Sequence, residues 1–176
     1  MHTDQRWAHS LRAFAEELGD HGPIHAAPTS EVYAWFVVDA PATLVDGIAW
    51  KVFLQLDDFA SVLTAAELER LLTALHARGF SGDFKIDLRP RYTRFNYNQV
   101  IVHTSSARMA VCAEAVAVEV LGERLAATGR GLDVALEGRV HDWHRFLLRS
   151  KLEVLSQEAR GFVSGPYEMV EEVCPR

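Results

Sequence analysis

The chain has 176 residues, 49% of them apolar and 24% charged, with a formal net charge of -6. These values describe one globular domain with a real core, and they exclude both a disordered chain and two domains of comfortable size. The negative balance argues against nucleic acid as a partner, and no apolar run is long enough to predict a membrane span.

The first ten residues, MHTDQRWAHS, are not a cationic leader before an apolar stretch, so a cytoplasmic location is expected. From Asp4 to Leu18, Trp7, Leu11, Phe14 and Leu18 form one stripe of an amphipathic helix that Gly19 stops. A Pro, Ala and Ser-rich connection leads to Glu31–Val38, a strand rich in aromatic and β-branched residues. Asp46-Gly47 is a turn signal, and Ile48 to Asp57 is expected to pair with the preceding strand as a hairpin. Thr64-Ala65-Ala66-Glu67 fits a capping box before a helix carrying Leu68, Leu71, Leu72 and Leu75, which Gly79 closes. Two strands, Phe84–Leu88 and Tyr97–Thr104, come next. A long helix then runs from Ala107 to about Ala127 and ends at Thr128-Gly129-Arg130-Gly131.

Leu132 to Leu136 reads as a short strand or an extended loop, and Trp143 to Leu155 has helical spacing. Residues 1–165 form the single domain, and the acidic end, Pro166 to Arg176, is expected to be a loosely attached tail. The order α, β, β, α, β, β, α predicts an α+β fold: an antiparallel or mixed sheet with its helices packed mainly on one face. Cys112 and Cys174 form no recognisable motif, and no disulfide is expected between them. The eight histidines include no pair with metal-ligand spacing, and His141 and His144 read as exposed residues beside Trp143.

The stretch from Phe84 to Ala107 concentrates cations. Alternation puts Phe84, Ile86 and Leu88 on one face of the sheet and Lys85 and Asp87 on the other. In the next strand Val100 and Val102 face the apolar layer, which leaves Tyr97, Gln99, Ile101 and His103 opposite. Between the strands lie Arg89, Arg91 and Arg94. In a chain of negative net charge this local reversal of sign points to an anionic ligand.

Lys51 stands in a strand Lys51-Val52-Phe53-Leu54, Lys85 in the strand after the next helix, and Arg94 before Gln99-Val100-Ile101-Val102-His103. Trp143 is followed six residues later by Arg149. That order, from Gly47 to Leu152, resembles the bacterial phosphothreonine lyase family. The family comprises type III effector lyases and the related lyase domains of lanthipeptide and other modified-peptide synthetases. The resemblance implies a carbon-oxygen lyase that eliminates phosphate from phosphoserine or phosphothreonine in a precursor peptide, leaving a dehydroamino acid. It implies Lys85 as the base, and Lys51, Arg94 and Arg149 as the residues around the phosphate, to which the neighbouring Arg91 is our own addition. Phe53 departs from the pattern, because the family has its general-acid histidine there. His103, on the neighbouring strand, is our candidate for the missing acid, with Lys51 beside the reacting centre.

The chemistry has its own logic. Elimination needs a base for the α-proton and cations for the leaving phosphate, and arginine suits phosphate because its planar fork donates paired hydrogen bonds. No metal or cofactor is required. The partners would be the phosphorylated peptide and a kinase that makes it. Each residue also has an ordinary structural reading: Lys85 as the partner of Asp87, Lys51 as an edge lysine, His103 bonded to a carbonyl, Arg149 paired with Glu153 on a helix. Two further functions stay open: a non-catalytic peptide-binding or partner-docking subunit, and an α+β phosphoesterase built around His103-Thr104-Ser105.

Overall fold

The computed structural model describes residues 2–28, 31, 33–39, 48–56, 63–88, 99–104, 107–134, 149–150 and 174–175. In chain order these form α1 (His2–Leu18), β1 (Ile24–Ala27), β2 (Tyr33–Val38), β3 (Ile48–Leu56), α2 (Ala65–Ala77), β4 (Gly82–Asp87) and β5 (Gln99–Thr104). Then come α3 (Ala107–Leu121), a 3-10 turn (Gly122–Arg124), β6 (Leu125–Val134) and the short β7 (Arg149–Ser150). The strands make one sheet in the order β1-β2-β4-β5-β3-β6-β7, with every pairing antiparallel. The α+β expectation therefore holds, and the sheet is antiparallel rather than mixed.

The three helices cover one face. α1 and α2 lie over β1 and β2, and α3 lies over β3, β5 and β6. Alternate strand residues feed this layer: Ala34, Phe36 and Val38 from β2, Phe84 and Ile86 from β4, Val100 and Val102 from β5, and Val52 and Leu54 from β3, none more than 1% exposed. The helices answer with Trp7 and Leu11, with Leu68, Leu71, Leu72 and Leu75, and with Ala113, Val116 and Ala117. Each fully buried Leu, Val or Phe side chain stabilises the fold by roughly 1.5–3 kcal/mol relative to leaving it exposed. The Trp7 indole N–H is not stranded by its burial, because it donates to the Leu63 carbonyl at 2.7 Å.

The capping box forms as its sequence implies. Glu67 N–H donates to Thr64 Oγ1 at 3.2 Å, and Thr64 N–H donates to Glu67 Oε2 at 2.8 Å. Arg124, in the 3-10 turn, adds a bond from Nε to Glu67 Oε1 at 2.7 Å and so ties the start of α2 to the end of α3. Burial works to raise the pKa of the Glu67 carboxyl, but the Arg124 and Thr64 bonds outweigh it and hold the group below the ordinary glutamate value.

Several expectations need correction. β2 and β3 do not pair: β2 joins β1 and β4, while β3 joins β5 and β6. The connection from Asp39 to Gly47 is longer than the two- to five-residue loops that hold hairpins in register, so nothing local enforces pairing, and the β4–β5 hairpin occupies the space between. β1 lies inside the stretch read as a connection. It is a short edge strand flanked by Pro23 and Pro28, residues that blunt an edge against further pairing.

α3 stops at Leu121, because Gly122 adopts a left-handed φ of 50° that ends the helix. The residues beyond become β6, a ten-residue strand that runs through the glycines expected to form a loop. Arg149 and Ser150 belong to a strand paired with Thr128 and Ala127, not to a helix. The rest of the Trp143–Leu155 segment lies outside the described residues. Finally, Cys112 and Cys174 do form a disulfide across a sequence separation of 62. Cys174 is 1% exposed and Arg108 donates to its carbonyl, so the end of the chain is fastened to α3 and is not a loose tail at that point.

Candidate active or binding site

Register partners in an antiparallel sheet share a face, so the pairings set out the side of the sheet away from the helices. One row across it reads Val37, Asp83, His103, Lys51 and Gly131, and the next reads Trp35, Lys85, Ile101, Phe53 and Gly129. Lys51, Lys85 and His103, the three catalytic candidates, therefore occupy one face on the adjacent strands β3, β4 and β5. Phe53 belongs to the same face, one row from Lys51. This face is covered in part: Val37 is 1%, Asp83 2% and Ile101 8% exposed.

The described side chains form a ladder. Lys85 Nζ sits 3.7 Å from the centroid of the Tyr33 ring and 5.3 Å from that of Trp35. The Trp35 and His103 rings stack, with centroids 6.2 Å apart and an interplanar angle of 18°. His103 Nδ1 then lies 3.2 Å from Asp83 Oδ1. Among the described residues the Asp83 oxygens and His103 Nδ1 are nonetheless buried without a hydrogen bond, so the contact is close in distance but off the axis of an N–H. We take it as an ion-pair or dipole contact of a buried carboxylate.

The backbone beneath the ladder is tight. A Cβ built on Gly82 would lie 2.3 Å from the His103 carbonyl oxygen and 2.7 Å from the Phe80 ring. The first of these is backbone and cannot swing away. Gly82→Ala is expected to lower unfolding free energy by about 1–3 kcal/mol, the usual range for overpacking, because β4 and β5 must separate next to the His103–Asp83 pair. Urea denaturation of the two proteins checks this, and equal midpoints would show that the strands yield freely.

The phosphate arginines are not brought together with the lysines among the described residues. Arg149 is the register partner of Thr128, and Thr128 that of Leu54, a position in the helix-covered layer. By register Arg149 thus belongs to the alternate set from Lys85. Arg91 and Arg94 lie outside the described residues. By register Asp83 and Asp87 share the face of Lys85, as does Asp133 by its pairing with Ala49.

Sequence reading missed Asp83, Trp35 and Tyr33. The signal for Asp83 was present, since the alternation Asp83-Phe84-Lys85-Ile86-Asp87 extends one step before the point where the strand was started. For Trp35 and Tyr33 no local signal exists, because their place beside Lys85 depends on the β2–β4 pairing. Among the described residues no group of three or more His, Cys, Asp or Glu side chains could hold a metal ion, and no helix is long and apolar enough to cross a membrane. Compared with family models, curated proteins and solved structures, the chain matches none of them.

Proposed function

We propose that the chain is a peptide-binding or partner-docking subunit that receives an extended peptide segment on the sheet face carrying Tyr33, Trp35, Lys85 and His103. The observation that carries this reading is the seat of Lys85. Aromatic faces attract an ammonium, whereas a base for an α-proton must be a neutral amine, so two rings around Nζ favour the form that does no chemistry. The half-buried Tyr33 and Trp35 suit a peptide with apolar or aromatic side chains, as each offers a broad ring and a polar edge. That three aspartates, Asp83, Asp87 and Asp133, share the face with the two lysines by register supports such a ligand over a multiply charged phosphate.

A second reading, phosphoserine or phosphothreonine elimination with a partner kinase, is favoured by one observation: Lys51, Lys85 and His103 share a face in adjacent rows. In that reaction Lys85 takes the α-proton, its bonding pair forms the new double bond, and the C–O pair departs with the phosphate. The Cys112–Cys174 bond bears on location, since such bonds persist in oxidising compartments and favour one of these over the cytoplasm.

Selection from a displayed random-peptide library, followed by mass spectrometry of a phosphothreonine peptide incubated with the protein, tests both readings. The binding reading expects selected peptides that Trp35→Ala binds at least tenfold more weakly, and no change of peptide mass. Loss of phosphoric acid establishes the lyase, and gain of water with free phosphate a phosphoesterase. Selected peptides that bind Trp35→Ala as tightly as the parent, or an empty selection, overturn the docking face.

A further inference from the structure

Asp83 and His103 form an arrangement that peptide binding does not call for. The Asp83 carboxylate is 98% buried, and both its oxygens lack hydrogen bonds among the described residues. Burying a carboxylate without a donor costs several kcal/mol, so the nearest available donor is recruited. His103 Nδ1 is a donor within reach, 3.2 Å away. Lys85, two residues along the same strand, is turned to Tyr33 and Trp35 and makes no hydrogen bond to Asp83. The His103 ring keeps 19% of its surface accessible although Nδ1 is buried, so its exposure lies on its other atoms. Trp35 fixes the plane of the ring by stacking.

We propose that Asp83 is a positioning residue for His103: it holds a proton on Nδ1, turned inward, and so leaves Nε2 as the nitrogen that exchanges a proton with a ligand at the surface. The physical requirement is general. An imidazole works as a defined acid or base when a fixed partner on one nitrogen decides which tautomer the other presents. The ligand chemistry that fits is a phosphate-ester oxygen, because by register Lys51 is the neighbour of His103 in its row. There the ring protonated on both nitrogens would give its Nε2 proton to the bridging oxygen as the C–O pair moves onto that oxygen, which leaves the neutral ring with its proton on Nδ1 against Asp83. This ligand assignment rests on the elimination reading, whereas the tautomer does not.

The experiment is long-range 1H–15N correlation of the histidine rings in the whole protein and in Asp83→Asn, before and after addition of inorganic phosphate or a phosphothreonine peptide. The wild type is expected to show His103 protonated at Nδ1. In Asp83→Asn the side-chain amide can donate to Nδ1 instead, so the neutral ring is expected to switch its proton to Nε2, and Asp83→Glu to restore the first pattern. A wild-type ring protonated at Nε2 when neutral overturns the inference without any variant. So does an unchanged pattern in Asp83→Asn. Phosphate or phosphopeptide should move the Nε2 resonance of the wild type, and a phosphopeptide that it eliminates should react about 10²-fold more slowly with Asp83→Asn. If the tautomer is as stated but no phosphate ligand moves Nε2 and none is eliminated, the elimination reading and the ligand assignment fall while the positioning role stands.

Discussion

Replacing Cys112 and Cys174 together by alanine is expected to lower the unfolding free energy by about 4 kcal/mol, the chain-entropy value for a closed loop of this size. The bond joins α3 to the chain terminus over a separation of 62 residues. Opening it releases a long loop in the unfolded ensemble, whose gain in freedom rises only slowly with length but is already large here. The folded state loses less, since both positions lie within the apolar core and alanine leaves no polar group unpaired there. For a domain of this length the change corresponds to roughly a 10 °C fall in Tm. Differential scanning calorimetry of the oxidised protein, the reduced protein and the double variant measures it. Identical Tm values for all three would mean that the clasp adds nothing, and a non-reducing peptide map lacking the 112–174 linkage would mean that it does not form.

The disulfide also shows where sequence reading stops. A helical cysteine and a near-terminal one carry no spacing that pairs them, and their meeting is a property of how the chain returns to α3. The elements fixed by local chemistry were legible: the Trp7-Leu11 stripe, the Thr64–Glu67 box, and the alternation of β4 and β5. Elements whose state depends on neighbours were not. β6 was hidden because Gly129 and Gly131, turn signals in isolation, lie opposite Phe53 and Lys51 on a paired strand, where the partner supplies the order that propensity lacks. β1 was hidden by flanking prolines that in fact define an edge.

The site divides in the same way. Alternation alone set Lys85 and His103 on the face away from the core. It could not say that two aromatic rings from β2 would hold the lysine, or that a carboxylate beside it would turn to the histidine, because the order β2-β4-β5-β3 is not written in any one segment. The expectation of an anionic ligand counted the cations of two strands and their connection, and not the aspartates that pairing adds to the same face.

His103→Ala is expected to cost about 3 kcal/mol of stability, a large effect for a side chain that is only half buried. The reason lies in what is left behind. Asp83 is 2% exposed, its oxygens make no hydrogen bond among the described residues, and removing the imidazole takes the nearby Nδ1 away from a buried carboxylate. Breaking a buried pair from one side costs about 3–5 kcal/mol, and the partial exposure of His103 places this case at the lower end. Replacing both partners behaves differently, because two apolar groups leave no charge to desolvate. Asp83 neighbours Val37 in its row, so Asp83→Val extends an apolar surface already present. The double variant Asp83→Val/His103→Ala is therefore expected to recover most of the loss. Urea denaturation of the wild type, both single variants and the double variant closes the cycle, and the coupling should favour the pair by about 1–3 kcal/mol. Additive single effects would show that the 3.2 Å contact carries no energy and would remove the basis for treating Asp83 and His103 as a unit. A double variant as stable as the wild type, in contrast, would mean that folding alone does not require the pair, and that its presence answers to what His103 does at the face of the sheet.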